Sequence, residues 1–191
     1  MTFEEVFQQV DPIEGWMGNQ DCHALYDYVK NVTGLIVEIG SYMGRSTRLL
    51  ALSSPRSEIV SIDSYEETVF SNDAPEEIRR RFFLAVQGFG VTLIQGRSES
   101  VGKDWKRPID FLLVDGDHLY PSVSKDIKLF VPHVKMGCFV FFHDYNEKNK
   151  LEKYLPNRHG VFKAVQEHKD TYFDLVKHDI RKSGFAICRK K

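Results

Sequence analysis

The chain has 191 residues, of which 42% are hydrophobic and 13% aromatic, and these values suit one compact domain of ordinary size. So much apolar material excludes a chain that is disordered as a whole. The 26 basic and 27 acidic residues nearly cancel, to a formal net charge of −1. Nucleic acids and anionic membranes demand a basic surface, so neither is expected as a partner.

The amino-terminal residues 1–16 lack the apolar core that signal peptides and membrane-spanning helices need. The three cysteines, Cys22, Cys138 and Cys188, are widely spaced and predict neither a disulfide framework nor a CxxC metal site. These features predict a cytoplasmic protein. We divide the chain into an N-terminal extension over residues 1–20 and a single domain over residues 21–191.

Five short apolar runs recur along the chain, and helix-like stretches separate them. The runs are rich in β-branched and aromatic residues and are mostly continuous rather than alternating. Strands buried on both faces, as in a parallel sheet covered by helices, have this pattern. The predicted strands cover residues 35–39, 59–62, 91–94, 109–114 and 138–142.

The segments between these strands carry apolar residues at helical intervals. They predict helices over residues 21–31, 44–53, 75–87 and 122–131. The alternation of strand and helix is typical of an α/β fold. Residues 172–176 and 184–188 are two further strand-like runs joined by a polar loop, which predicts an antiparallel hairpin at the edge of the sheet.

A glycine-bearing loop follows the first predicted strand and leads into a helix. Gly40 and Gly44 let the backbone approach a cofactor closely. Their spacing lacks the third glycine of the dinucleotide fingerprint, and the preceding Glu38 suits a positively charged cofactor better than a pyrophosphate. Asp63 ends the second strand, where an acid can accept hydrogen bonds from both ribose hydroxyls. The alternative is a plain tight turn followed by a solvated acid.

Residues 38–47 resemble motif I of class I S-adenosylmethionine-dependent methyltransferases. The likeness is greatest to methyltransferase domain 24, a group of small-molecule O-methyltransferases. Gly96-Arg97-Ser98 follows the third strand, Asp115-Gly-Asp-His-Leu-Tyr120 the fourth, and His143-Asp-Tyr145 the fifth. Each resembles that group's motif at the same strand end, in the same order. The likeness runs from about Gly15 to the carboxyl terminus.

The resemblance implies a Rossmann-like, doubly wound sheet of about seven strands, with the last strand antiparallel and helices on both faces. It also implies S-adenosylmethionine lying across the ends of the first four strands. Trp16 either leans over the cofactor or is a plain packing residue. The residues expected to bind the cofactor are Glu38, Gly40, Ser41, Gly44, Ser46, Asp63, Gly96, Arg97, Ser98 and Asp115.

Acids and histidines gather after the fourth and fifth strands, which neighbour the first strand in such a sheet. One use of them is metal-assisted methyl transfer, since carboxylate oxygens suit Mg²⁺. Asp115 and Asp144 match the positions that hold Mg²⁺ in catechol-type and macrolide-sugar O-methyltransferases. Beside Asp144 this chain has His143 and Tyr145 where the family often has a carboxylate or amide, so the third ligand stays open.

The other use is general base catalysis without a metal. His118 has the right chemistry to take the proton of an acceptor hydroxyl, because its pKa lies near neutrality. Asp117 would serve instead or orient the histidine, and His143 is a second candidate catalytic residue. The two uses are compatible. The alternatives are that Asp117 only caps the helix that begins near Pro121 and that His143 is a hydrogen-bonded wall residue.

The sequence thus predicts an S-adenosylmethionine-dependent O-methyltransferase whose partner is a small-molecule acceptor, a sugar or natural product. Two alternatives stay open, an NAD-type oxidoreductase and a non-catalytic protein that binds S-adenosylmethionine. A homodimer is left open. Residues 64–74 are candidates for a lid, and residues 146–160 for the loop that selects the acceptor, since loops carry recognition on a fixed scaffold.

Overall fold

The computed structural model describes residues 1–66, 71–146, 160–180 and 184–191. Helices and strands alternate through most of this part of the chain. The strands are β1 Leu35–Ile39, β2 Glu58–Asp63, β3 Val91–Gln95, β4 Ile109–Val114, β5 Val134–His143, β6 Phe173–Asp179 and β7 Phe185–Lys190. The helices are α1 Phe3–Val10, α2 Asn19–Val29, α3 Arg45–Ser53, α4 Pro75–Ala85, α5 Ser98–Lys103, α6 Tyr120–Phe130 and α7 Gly160–Tyr172, and a 3₁₀ turn covers Val131–His133.

The strands form one sheet in the order β3-β2-β1-β4-β5-β7-β6. The first five in chain order run parallel, while β7 is antiparallel to both β5 and β6. The predicted Rossmann-like fold and its antiparallel last strand are therefore confirmed. The strand order reverses between β1 and β4, and open α/β sheets bind ligands in the crevice at such a point.

Helices cover both faces of the sheet. Buried side chains of α1, α2 and α3 share one core with Ile36 of β1 and Phe111 of β4. Side chains of α6 and α7 share the other core with Val37 and Leu112 from the same two strands. Adjacent residues of one strand thus enter opposite cores, and this explains why the central strands are continuous apolar runs rather than alternating ones.

Helix α1 belongs to the same core as the domain that follows it. Its Phe3, Val6 and Val10 are buried against residues of α2 and α3. The Thr2 and Glu5 side chains form a capping box at its start and satisfy free backbone N–H groups there. Residues 1–20 thus lie against the domain, and the boundary at residue 20 stays a prediction. Among the described residues, no helix combines the length and apolar character needed to cross a membrane.

Candidate active site

The loop between β1 and α3 adopts left-handed backbone conformations at Gly40, Tyr42 and Gly44, with φ of 86°, 47° and 87°. A Cβ atom on Gly40 would lie 2.3 Å from the backbone oxygen of Asp115. Only glycine fits there without strain. The loop therefore lies directly against the end of β4, at the edge of the sheet where a ligand is expected.

Asp63, the last residue of β2, holds this loop. Its Oδ2 accepts the backbone N–H groups of Ser41 at 2.8 Å and Tyr42 at 2.9 Å. Its Oδ1 accepts the backbone N–H of Tyr65 at 2.8 Å. The structure thus brings together Ser41 and Asp63, two of the predicted cofactor-binding residues. It also gives Asp63 a further task, because its carboxylate fixes the path of the loop.

Glu38 and Ser46 lie beneath the loop and bond to each other. The Ser46 and Thr47 hydroxyls each donate to the Glu38 carboxylate at 2.5 Å, and Glu38 is fully buried. Burial disfavours its charged form and raises the pKa of Glu38 to about 7, although both hydroxyls oppose that rise. The first turn of α3 is thereby tied to β1.

The turn after β3 lies beside the end of β2. The Gly96 backbone N–H donates to the Asp63 carbonyl oxygen at 2.9 Å. The exposed Arg97 forms a two-point ion pair with Glu66, and the Ser98 hydroxyl donates to Asp126 Oδ1 at 2.6 Å. Gly96, Arg97 and Ser98 are thus at the same sheet edge as the glycine loop, and their contact with an adenine stays a prediction.

The acid–histidine cluster, comprising Asp21, Asp115, His118, His143 and Asp144, forms where β4 and β5 end side by side. His143 Nδ1 lies 2.9 Å from Asp115 Oδ1. His118 Nδ1 lies 3.0 Å from Asp144 Oδ2, and its Nε2 lies 3.6 Å from Asp115 Oδ1. Asp144 has a φ of 56°, in the left-handed region. His143 Nε2 faces Asp21 Oδ2 at 3.5 Å.

Three members of the cluster could hold a metal ion. Asp115, His118 and Asp144 each offer one ligand atom, and these atoms all lie within 4.8 Å of one another. His118 Nε2 is buried and makes no hydrogen bond within the described part of the chain. The sequence predicts the two aspartates and leaves the third ligand open, and the structure places His118 there.

The charges of the cluster compensate one another. Burial disfavours the cationic form of His143, but the Asp115, Asp21 and Asp144 carboxylates together outweigh it and hold the pKa of His143 well above its ordinary value. Burial likewise works against the charge of Asp115, yet His143 and His118 lower the pKa of Asp115 to about 2. The pKa of His118 is raised by Asp115 and Asp144 despite its burial. Each histidine of the cluster thus favours the charged form of the aspartates beside it, and each aspartate favours the protonated form of its histidine.

Asp117 lies outside these contacts. Its side chain is exposed at the start of α6. Its Oδ1 accepts the backbone N–H of Leu119 at 2.9 Å, and its Oδ2 accepts the hydroxyl of Ser122 at 2.7 Å. These bonds hold the turn before α6, but the N-cap residue of that helix is Leu119, which makes no side-chain cap, so the expected helix cap by Asp117 is not formed. A catalytic role for Asp117 stays a prediction.

The segment before α2 lies against the glycine loop. The Trp16 ring packs on Tyr42 with 4.6 Å between ring centroids, and Trp16 is 57% exposed. Arg45 donates to the carbonyl oxygens of Ile13 at 2.8 Å and Met17 at 3.1 Å. The sequence does not predict this role of Arg45, because its partners are backbone carbonyl groups, which every residue has.

The sequence did not single out two residues at this site, Asp21 within the cluster and Gly160 beside it. In the sequence Asp21 is an ordinary acid in the first turn of a helix. Its partner His143 is distant in the chain, so the sequence alone does not indicate their contact. Gly160 begins α7, and a Cβ there would lie 2.2 Å from the backbone oxygen of His118 and 2.1 Å from the nitrogen of Tyr120. The start of α7 is therefore pressed against the turn that carries His118.

Most of the predicted acceptor loop, residues 147–159, lies outside the described residues, as do residues 67–70 of the predicted lid. The described residues on either side of the loop adjoin the cluster. Asp144 belongs to it, and Gly160 packs on the backbone of His118. Both ends of this stretch are therefore at the candidate site.

A family model described as a methyltransferase domain matches residues 37–145, more than half of the chain. The chain belongs to this methyltransferase family. The match begins in β1 and ends at Tyr145, so it contains the glycine loop, Asp63 and most of the acid–histidine cluster. The expectation of a class I S-adenosylmethionine-dependent methyltransferase of the domain 24 group is confirmed.

Comparisons with individual proteins agree with this membership. The methyltransferase chain is 25% identical over 143 residues to the uncharacterized protein R132 of Acanthamoeba polyphaga mimivirus, a match that covers 70% of the chain and 61% of that protein. The chain thus matches about three fifths of the length of this curated relative.

Three solved structures show the same fold at low sequence identity. The SAH-bound methyltransferase PaMTH1 of Podospora anserina has a TM-score of 0.69 at 16% identity, covering 99% of this chain and 87% of that one. The O-methyltransferase of Bacillus cereus in complex with SAH has a TM-score of 0.67 at 16% identity, covering 99% and 90%. The MycE methyltransferase of the mycinamycin pathway, in complex with Mg, SAH and mycinamycin VI, has a TM-score of 0.62 at 17% identity, covering 98% and 54%.

Proposed function

We propose that this methyltransferase moves the methyl group of S-adenosylmethionine to a hydroxyl of a small molecule. One observation carries the proposal: the glycine loop, held by Asp63, adjoins the acid–histidine cluster at the point where the strand order reverses. A cofactor site and a proton-accepting site are thereby placed side by side. The Bacillus cereus neighbour is an O-methyltransferase in complex with SAH, which supports this choice of cofactor and acceptor atom.

The cofactor would lie along the ends of β1, β2 and β3. Gly40 and Gly44 keep the loop free of side chains where the methionine part would pass. Asp63 has both oxygens on backbone N–H groups, and a carboxylate oxygen can accept more than one hydrogen bond, so ribose contact stays compatible with its task in the loop. The nearby carboxylates would favour the positive charge of a sulfonium.

The residues present also fit a divalent metal ion. Asp115, His118 and Asp144 would hold it. The observation that favours such a ligand is the buried Nε2 of His118, which makes no hydrogen bond in the described part of the chain and lies 3.6 Å from Asp115 Oδ1. Ligands of this kind suit Mg²⁺ through the carboxylates, whereas the imidazole better suits later divalent metals. A bound ion would lower the pKa of the acceptor hydroxyl and orient it. The MycE neighbour is in complex with Mg, which supports a divalent ion in a protein of this fold.

The reaction is a direct displacement. The acceptor oxygen forms a bond to the methyl carbon, the bond from that carbon to sulfur breaks with its electron pair going to sulfur, and the hydroxyl proton leaves the acceptor. Without a bound metal, His118 in its neutral form would take this proton at Nε2, and Asp144, 3.0 Å from Nδ1, would stabilise the resulting cation. With Nε2 bound to a metal ion, His118 would not be the base, and the acidified hydroxyl would release its proton to solvent. Most of the acceleration would come from holding oxygen and methyl in line.

Family membership favours methyl transfer over an NAD-type oxidoreductase. A non-catalytic protein that binds S-adenosylmethionine is the remaining competitor, and turnover separates the two. The purified protein would be incubated with S-adenosylmethionine labelled in its methyl group and with fractions of a small-molecule extract. Label should pass to a hydroxylated compound, and the His118→Ala variant should transfer far less. Tight cofactor binding without transfer to any fraction would favour the non-catalytic alternative.

A further inference from the structure

Asp21 is the one member of the acid–histidine cluster that does not come from the ends of β4 and β5 or the turns that follow them. It lies in the first turn of α2 and is 7% exposed. Its Oδ2 faces Nε2 of His143 at 3.5 Å. Helix α2 covers the face of the sheet from which His143 projects, so this contact joins a helix to the end of β5.

His143 lies between two carboxylates. Its Nδ1 is 2.9 Å from Asp115 and its Nε2 is 3.5 Å from Asp21. The residue is only 1% exposed, so water does not compete for either ring nitrogen. Rotation of the ring about its bond to Cβ would move both nitrogens away from the oxygens of Asp115 and Asp21. Nδ1 is held by a hydrogen bond to Asp115, whereas Nε2 makes no hydrogen bond in the described part of the chain and faces Asp21 as a charge contact. The orientation of His143 thus depends on Asp115 through a hydrogen bond and on Asp21 through its charge.

The Asp115 carboxylate also contacts His118. The same Oδ1 that meets His143 lies 3.6 Å from His118 Nε2. The contacts run without a break from Asp21 through His143 and Asp115 to His118 and Asp144. A shift of the His143 ring would reach the candidate metal ligands through a single intermediate, the Asp115 carboxylate.

We propose that Asp21 is a positioning residue, which acts through His143 to aim the Asp115 carboxylate at His118 and Asp144. The inference deepens the proposed function and rests on it for the use of the site. Carboxylates that bind metals are themselves held by hydrogen-bonded partners, and loss of such a partner lowers metal affinity by about 10- to 100-fold.

A purely structural role for Asp21 makes a different prediction. Its Oδ2 also accepts the backbone N–H of Gly18, at 3.4 Å, and so contributes to the start of α2. Asn in this position keeps an oxygen for that hydrogen bond and removes the negative charge facing His143. An Asp21→Asn variant should therefore keep the hydrogen bond to Gly18 at the start of α2 and lose the charge contact that orients the His143 ring.

The experiment compares Asp21→Asn and Asp21→Glu with Asp27→Asn as the matched control. Asp27 lies on the same helix but is exposed, and it pairs with Lys30. Mn²⁺ binding is measured by calorimetry, and the ring nitrogens of His143 are followed by NMR of ¹⁵N-histidine-labelled protein. Asp21→Asn should weaken Mn²⁺ binding by up to about tenfold, the lower end of the loss seen when a direct partner of a metal ligand is removed, and shift the Nδ1 resonance of His143. Asp21→Glu should recover part of both effects, and Asp27→Asn should change neither.

Thermal unfolding of each variant establishes that it is folded. A folded Asp21→Asn protein with the wild-type Nδ1 resonance and wild-type Mn²⁺ affinity would overturn the proposal. If the wild-type protein binds no Mn²⁺, the proposed metal site fails while the NMR comparison still decides the role of Asp21. Binding of S-adenosylhomocysteine, measured separately, reports on the cofactor site alone.

Discussion

The Asp63 carboxylate accepts the backbone N–H of Ser41 at 2.8 Å, so the end of β2 holds the loop that follows β1. The same oxygen accepts the N–H of Tyr42, whose backbone is left-handed. A side chain that could bind a cofactor thus also shapes the loop on which that cofactor would lie.

Asp63→Ala should weaken binding of S-adenosylhomocysteine by about tenfold or more. Hydrogen bonds to a charged group contribute about 1.5–3 kcal/mol each, and this variant loses those that fix Ser41 and Tyr42. Calorimetry measures the affinity. Glu58→Ala is the control, since Glu58 begins the same strand at its far end and pairs with Arg107 on the surface. Equal affinities of the two variants would contradict the assignment of Asp63.

His118→Ala should leave S-adenosylhomocysteine affinity near the wild-type value and reduce methyl transfer by about 10²- to 10⁴-fold, the contribution typical of a general base. In the metal-bound alternative His118 is a ligand rather than the base, and the variant should then also weaken Mn²⁺ binding. His133→Ala is the control, as His133 precedes β5 at the opposite end of that strand. Wild-type turnover in His118→Ala would remove His118 from the reaction.

Glu38 should make the folded protein less stable as the pH rises from about 4.5 to 7. Its pKa is raised from 4.5 to about 7 in the fold, so the folded state binds this proton more tightly than the unfolded state does. The stabilisation by the bound proton is complete below 4.5 and lost above 7, with a magnitude of the order of 3 kcal/mol. Urea unfolding across this pH range measures the effect.

The Glu38→Gln variant isolates that contribution. Its free energy of unfolding should rise relative to that of the wild type between pH 5 and pH 8. Asp126, whose pKa is also raised to about 7 by burial, is present in both proteins and cancels in the comparison. Parallel stability profiles for variant and wild type would show that Glu38 does not titrate in this range.

Gly160→Ala should destabilise the protein by about 1–3 kcal/mol, the usual cost of forcing an extra group into a packed site. The added methyl would lie 2.1 Å from the Tyr120 nitrogen and would displace the turn carrying His118. Gly90→Ala is the control, because nothing lies within 4 Å of a Cβ there. Urea unfolding compares the two, and a loss no greater than that of Gly90→Ala would contradict this packing.

The sequence predicts the central sheet well because a strand that is buried on both faces is a continuous run of apolar residues. The run at 109–114 coincides with β4, and the glycine loop follows β1 as expected. Other elements have less distinctive sequences. Helix α5 has only six residues and includes Gly102, a poor helix former, so it is too short to show a helical spacing of apolar residues.

The candidate site was predictable where chemistry follows a strand end. Asp115, His118 and Asp144 were recognised for that reason, and the structure brings them together. Asp21 was not, because its partner His143 is distant in the chain and only packing of α2 on β5 joins them. Asp117 illustrates the reverse case, since its residue type and place suggest catalysis while its oxygens bond the start of α6.

Calorimetry of the wild-type protein with S-adenosylhomocysteine tests the proposed cofactor most directly. We predict saturable binding with one molecule per chain, weakened in Asp63→Ala and unchanged in His118→Ala. No heat of binding at millimolar ligand, with the protein folded, would contradict the claim that this methyltransferase domain uses S-adenosylmethionine.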